Sequence, residues 1–233
     1  MHARNAQAPD WEWMMFWHFL FAHLLADYPF QSNWMVLQKR RFSVLLLHIA
    51  IHFGTLLAVV GAARQFIWPQ LLALALIHLG VDLVKNYVNR VRPGWIIGPY
   101  FLDQLIHYLS IWLVAAWIES QTGNILVPIT RTVFIFASAY LLVTYVWFIS
   151  ERILAHSDTA YRKEVVDQLW IRIVSRAAFL SGLLLFWRWF LPVSLSATAV
   201  FSVPYLQGKN GVRAFLTDVS VAVAGLVLIV WAL

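Results

Sequence analysis

Cysteine is absent from the 233 residues, which excludes disulfides, thiolate metal sites and cysteine nucleophiles. Charge is scarce as well: Asp, Glu, Lys and Arg make up 12% of the chain against 61% hydrophobic residues, where a soluble domain carries roughly 25% and 45–50%. Mean hydropathy is +0.71. A chain of this length cannot hide that much apolar surface from water, so soluble domains are excluded and most of the surface must face lipid. Acidic residues number 11 against 17 basic ones, a net charge of +6. In a lipid-facing chain this bias sets orientation across the bilayer, and no nucleic-acid partner is expected. The two-residue alternation of a β-barrel and low-complexity tracts are also missing. What remains is an all-α, polytopic integral membrane bundle.

A bilayer core of about 30 Å takes about 20 apolar residues per helix. Windows of that length predict seven spans: 11–30, 43–62, 67–85, 99–118, 131–150, 177 to about 200, and 214–231. Six is the alternative count, because Arg188 and Pro192 interrupt the sixth. The first stretch lacks a basic flank and a small-residue cleavage site and carries His and Asp, so it reads as a span rather than a cleavable signal. Loops after spans one, three and five hold eleven of the Lys and Arg residues, against six on the other side. That asymmetry predicts a cytoplasmic location for those loops and an external N-terminus. Two regions are expected: a four-helix membrane domain over 11–118, and three further helices over 119–233 with a cytoplasmic amphipathic loop at about 151–176. Val165, Val166, Leu169 and Ile173 would form the apolar side of that loop.

The polar residues inside the first four spans repeat. His23 and Asp27 end the first, and His48 and His52 begin the second. His78 and Asp82 end the third, and Asp103 and His107 begin the fourth. Each member of the first hairpin is matched in the second at an offset of 55 residues, as a tandem duplication of helical hairpins would give. Within every pair the spacing is i, i+4, which puts both groups on one helix face a turn apart. Eight ionisable groups therefore gather at one depth, just inside the cytoplasmic boundary.

Ionisable groups in a span are expensive, so they face the bundle interior, pair, or mark function. Imidazole and carboxylate on facing helices are how bundles build metal sites. One or two divalent ions, Zn, Fe or Mn, are the expected cofactor, with ligands among His23, Asp27, His48, His52, His78, Asp82, Asp103 and His107. Without a cation the three carboxylates would need protonation or imidazolium to neutralise them. Gln31, Lys39, Arg40, Arg41, Lys85, Asn86 and Gln104 lie within reach as substrate-binding candidates, the basic ones for an anionic headgroup. His18 and His156 are assigned to no site. A structural Asp–His network and a proton or ion pathway are the competing readings of the same residues.

The segments ADYPFQ, DLVKN and DQLIH, within AHLLADYPFQSNWMVLQKR, LLLHIAIH, HLGVDLVKN and LDQLIHY, resemble a family of small bacterial inner-membrane proteins without an established activity. The resemblance covers roughly 16–118 and implies a bacterial inner-membrane location. More loosely, the His/Asp pattern is similar to that of membrane-bound metal-dependent hydrolases. The reading is thus a membrane metalloenzyme, a hydrolase acting on a lipid or isoprenoid-type substrate at the cytoplasmic leaflet. A di-iron oxidase, or a transporter using the same cluster, is the alternative.

Overall fold

A computed structural model describes residues 14–61, 64–122, 130–186 and 210–233. Among them the regular structure is entirely helical: α1 (Met14–Asp27), α2 (Asn33–Gln38), α3 (Phe42–Val60), α4 (Arg64–Val91), α5 (Ile97–Thr122), α6 (Arg131–Leu141), α7 (Trp147–Leu154), α8 (Thr159–Asp167), α9 (Leu169–Phe186) and α10 (Gly211–Ala232). A π-helical turn, Leu142–Val146, joins α6 to α7, and a 3₁₀ turn, Ala155–Ser157, follows α7. Among the described residues, five helices are long and apolar enough to cross a membrane, or six if α8 and α9, bent by 73°, count as one broken span. Seven is the sequence expectation. The described part of the first span is the 14-residue α1, while 11–13, Arg188, Pro192 and the stretch to Val200 lie outside the described residues. The third predicted span is longer than expected, as α4 runs on to Val91.

The chain divides into two compact units, Met1–Phe134 and Ile135–Leu233. In the first unit α1 packs on α3 and α5, and α4 on α3 and α5, which closes a four-helix ring. Its two ends differ in chemistry. Met15 and Phe19, Leu56 and Val60, Ile67 and Leu71, and Ile111 and Ile118 form a buried apolar core. These are the start of α1, the end of α3, the start of α4 and the end of α5. The opposite helix ends carry the paired His and Asp residues. The chain leaves α3 through Gly61, whose φ of 55° is a left-handed conformation that glycine adopts without a Cβ clash.

The link from α1 to α3 is short and apolar on its outside. Ser32 caps α2 by accepting a hydrogen bond from the Met35 backbone N–H at 3.3 Å. Met35 is buried, whereas Phe30, Trp34, Val36, Leu37 and Phe42 are exposed, next to Lys39, Arg40 and Arg41. Aromatic and aliphatic side chains beside cations are the composition of a membrane–water boundary.

In the second unit α9 packs on α10 and on the π turn. The π turn is defined by the Trp147 N–H reaching back five residues to the Leu142 carbonyl. Opposite it on α10 stands Gly225, where an added Cβ would lie 2.5 Å from Val143 Cγ2. The segment expected as a surface amphipathic loop is more deeply built in than that. Val165 and Ile173 are buried, Val166 is exposed, and Arg172 and Arg176 are fully buried in α9.

Candidate metal centre

His23, His48, His52, His78 and His107 meet. Ring centroids are 3.8 Å apart for His52 and His78, 3.9 Å for His78 and His107, and 4.6 Å for His48 and His52. His23 stands 5.2–5.3 Å from His52, His78 and His107. The i, i+4 spacing works as expected locally: each helix turns both its polar groups inward, and all five rings are buried.

Asp27, the last residue of α1, is the hub. Its Oδ1 lies 2.9 Å from His52 Nε2, 3.0 Å from His48 Nε2 and 3.8 Å from His78 Nε2, and its Oδ2 lies 3.6 Å from His23 Nε2. Asp27, His48, His52 and His78 each offer one atom within 4.8 Å of all the others, and so do His78, Asp82 and His107. Ligands at about 2.1 Å from one tetrahedral ion are about 3.4 Å apart, and the distances from Asp27 to His48, His52 and His78 bracket that spacing. These buried groups could hold a metal ion. Imidazole nitrogens dominate the set around Asp27, a donor mixture suited to Zn, Fe or Mn.

His23 and Asp103 stand outside both groupings. His107 Nε2 lies 3.4 Å from Asp103 Oδ1, while His23 Nε2 and His107 Nδ1 have no hydrogen-bond partner among the described residues. Buried polar atoms normally find partners, so these nitrogens mark the cluster as a place built for something besides its own internal bonding. A small cavity adjoins it, lined by His23, His52, His78, His107 and Ser110 and, one turn deeper, Leu56, Leu74, Ala75 and Ile111. The imidazoles therefore face an apolar recess.

The carboxylates are compensated in a way the sequence reading missed. Lys39 Nζ lies 3.1 Å from Asp82 Oδ2, and Lys85 Nζ lies 3.4 Å from Asp82 Oδ1 and 2.6 Å from Asp103 Oδ2. The expectation of three unneutralised carboxylates is corrected: two of them already carry lysine counter-ions, and only Asp27 depends on imidazoles. Lys85, at i+3 from Asp82, was the available signal.

Of the other substrate-binding candidates, Gln31 reaches His48 at 3.2 Å and Asn86 donates to the Lys39 carbonyl at 3.1 Å. Gln104 donates to Asp103 at 3.1 Å and Asp27 at 3.4 Å. Arg40 and Arg41 are exposed and are not brought to the cluster. Tyr28, not foreseen, donates to Gln104 Oε1 at 3.3 Å and shares a hydroxyl contact with Tyr100 at 3.0 Å. His18 bonds the Met14 carbonyl and packs 4.1 Å from Phe134, while His156 is exposed.

A second buried charge cluster, in the other unit, was not anticipated at all. Arg172 donates to Glu151 at 2.9 Å and Asp218 at 2.7 Å; Arg176 donates to Glu151 at 2.7 Å and Asp218 at 2.6 Å. Tyr161 also donates to Glu151. Two cations and two anions cancel, so this network is self-compensated.

A family described as a protein of unknown function (DUF3307) matches residues 15–135. No curated protein and no solved structure matches the chain. The matched stretch contains the whole His/Asp cluster, and it spans more than half of the sequence: the chain belongs to the DUF3307 family.

Proposed function

We propose that the protein is an integral membrane metal-dependent enzyme, a hydrolase acting on a lipid or isoprenoid-type substrate where the His/Asp cluster meets the membrane boundary. The observation that carries this is the set Asp27, His48, His52 and His78, buried and mutually within 4.8 Å, beside an apolar recess. A divalent ion there would polarise a phosphoryl or acyl oxygen and make a water ligand acidic. Gln104 and Gln31 hold Asp27 and His48 in place.

The reading further has seven spans, the first four as two tandem hairpins related by an axis along the membrane normal, in a bacterial inner membrane. The N-terminus lies outside and the cluster near the cytoplasmic face, as the Lys/Arg asymmetry favours. Transport by alternating access is less favoured, because the opposite half of the ring is an apolar core. Reconstitution in phospholipid nanodiscs tests the enzyme reading. Mass spectrometry should find lipid cleavage products that disappear with a chelator, return with Zn, Mn or Fe, and are absent for His52→Ala. Unchanged lipids under all metal conditions would overturn it.

A further inference from the structure

The site is electrically lopsided. On one side, Asp82 and Asp103 are matched by Lys39 and Lys85, two negative charges against two positive ones. On the other, every ion pair of Asp27 among the described residues is with an imidazole. With neutral imidazoles as ligands, a divalent ion on the Asp27 side turns its single negative charge into a single positive one. An uncompensated charge in a low-dielectric interior is costly, so the loaded site demands one further negative charge.

The two lysines say where that charge goes and what carries it. They approach opposite oxygens of Asp82, and Asp82 Oδ2 is itself 3.6 Å from both His48 Nε2 and His78 Nε2. The ammonium groups thus stand at the edge of the imidazole set. Their side chains are 12% and 21% exposed, against 2% for Asp82, so an incoming ligand meets the lysines before it meets the carboxylate. A planar carboxylate has only two oxygens to share among one ion and two ammonium groups. A tetrahedral phosphoryl group has enough for all three.

We infer that the metal-loaded site binds a singly charged phosphoryl group, of the phosphodiester type, between the ion at Asp27 and the ammonium groups of Lys39 and Lys85. This rests on the metal reading above and adds to it the charge and chemical class of the substrate group. It also favours one ion over two, since Asp82 is already engaged by both lysines.

The test uses the full chain in detergent micelles loaded with Mn²⁺, with binding of the ion itself followed first by electron paramagnetic resonance. The probes are dimethyl phosphate, which carries one negative charge, and trimethyl phosphate, which carries none. Paramagnetic broadening of the ³¹P line should be seen for the first and not the second. Lys39→Gln should weaken dimethyl phosphate binding about tenfold, as the loss of one charge-assisted hydrogen bond would. Lys85→Gln combined with Asp103→Asn should do the same while keeping the site neutral and the fold intact. A further arm replaces the soluble probe with phosphatidylglycerol in the micelle. Broadening of that lipid alone identifies a lipid headgroup as the source, and broadening of both probes identifies the phosphoryl group irrespective of source. Equal broadening of charged and neutral probes, or undiminished binding in both variants, overturns the proposal. Failure of Mn²⁺ to bind the wild-type protein, read before any phosphate is added, overturns the metal reading instead.

Discussion

Asp27 and Asp103 are both aspartates of i, i+4 pairs with histidine, yet their surroundings give them different work. Asp27 gathers four imidazoles, whereas Asp103 is held by Lys85 at 2.6 Å. Asp27→Asn should therefore abolish metal binding, while Asp103→Asn should lower affinity by about tenfold, the effect of an outer-shell partner. Isothermal titration with Zn²⁺ or Mn²⁺ measures both, and equal losses would mean that the eight groups act as one undivided set. Acid should weaken binding too. Each imidazole must be deprotonated to ligate, so protons compete with the ion on acidification. Affinity should decline as titrations are repeated at successively lower pH. The residues at the site were legible because rare polar types recur at a fixed offset and at i, i+4. The lysine counter-ions were not, because a cation near a helix end reads equally well as a membrane anchor.

Helix pairs decide the rest. The network of Glu151, Arg172, Arg176 and Asp218 ties α7, α9 and α10 together with every carboxylate bonded. Breaking one partner leaves a buried uncompensated charge, at a cost of about 3–5 kcal/mol. Arg176→Met should lower the thermal unfolding midpoint in detergent, and adding Asp218→Asn should restore part of it. A midpoint unchanged by Arg176→Met would show that the pair is hydrated and weak. Gly225→Leu tests the neighbouring contact: with Val143 Cγ2 at 2.5 Å from the site of a Cβ, the π turn and α10 must separate, and the midpoint should fall again. Two signals for this network were present in the sequence. Arg172 and Arg176 share the i, i+4 spacing of the His/Asp pairs, and Asp218 is a lone acid within an apolar span. Their partners are scattered over 151–218 without a repeat, and Arg residues beside a presumed loop fit the positive-inside pattern. Only the packing of α9 against α10 shows them buried.

At the scale of the whole chain, hydropathy and periodicity were sufficient to give the helical structure of the described residues, with helices long and apolar enough to cross a membrane. They were less reliable for helix ends, because a helix extends past its apolar stretch wherever polar residues continue the same turn, as α4 does to Val91. Orientation is tested with the cysteine-free background. Ser32→Cys, at the cluster end, should be shielded in intact cells from an impermeant thiol reagent, and Ser120→Cys, at the far end of α5, should be labelled; the reverse pattern would invert the topology. Metal bound only by the folded state stabilises it by mass action, about 2.7 kcal/mol at a hundredfold excess over Kd, so chelation should lower the melting midpoint. The central claim, that the buried His/Asp cluster holds a divalent ion, is most directly tested by elemental analysis of the protein purified without added metal. The account predicts one equivalent of Zn, Mn or Fe per chain in the wild type and in His156→Ala, and almost none in Asp27→Asn or His52→Ala. Metal-free wild-type protein that also fails to take up any of these ions on titration would contradict it, leaving the cluster as a hydrogen-bonded tie between helices.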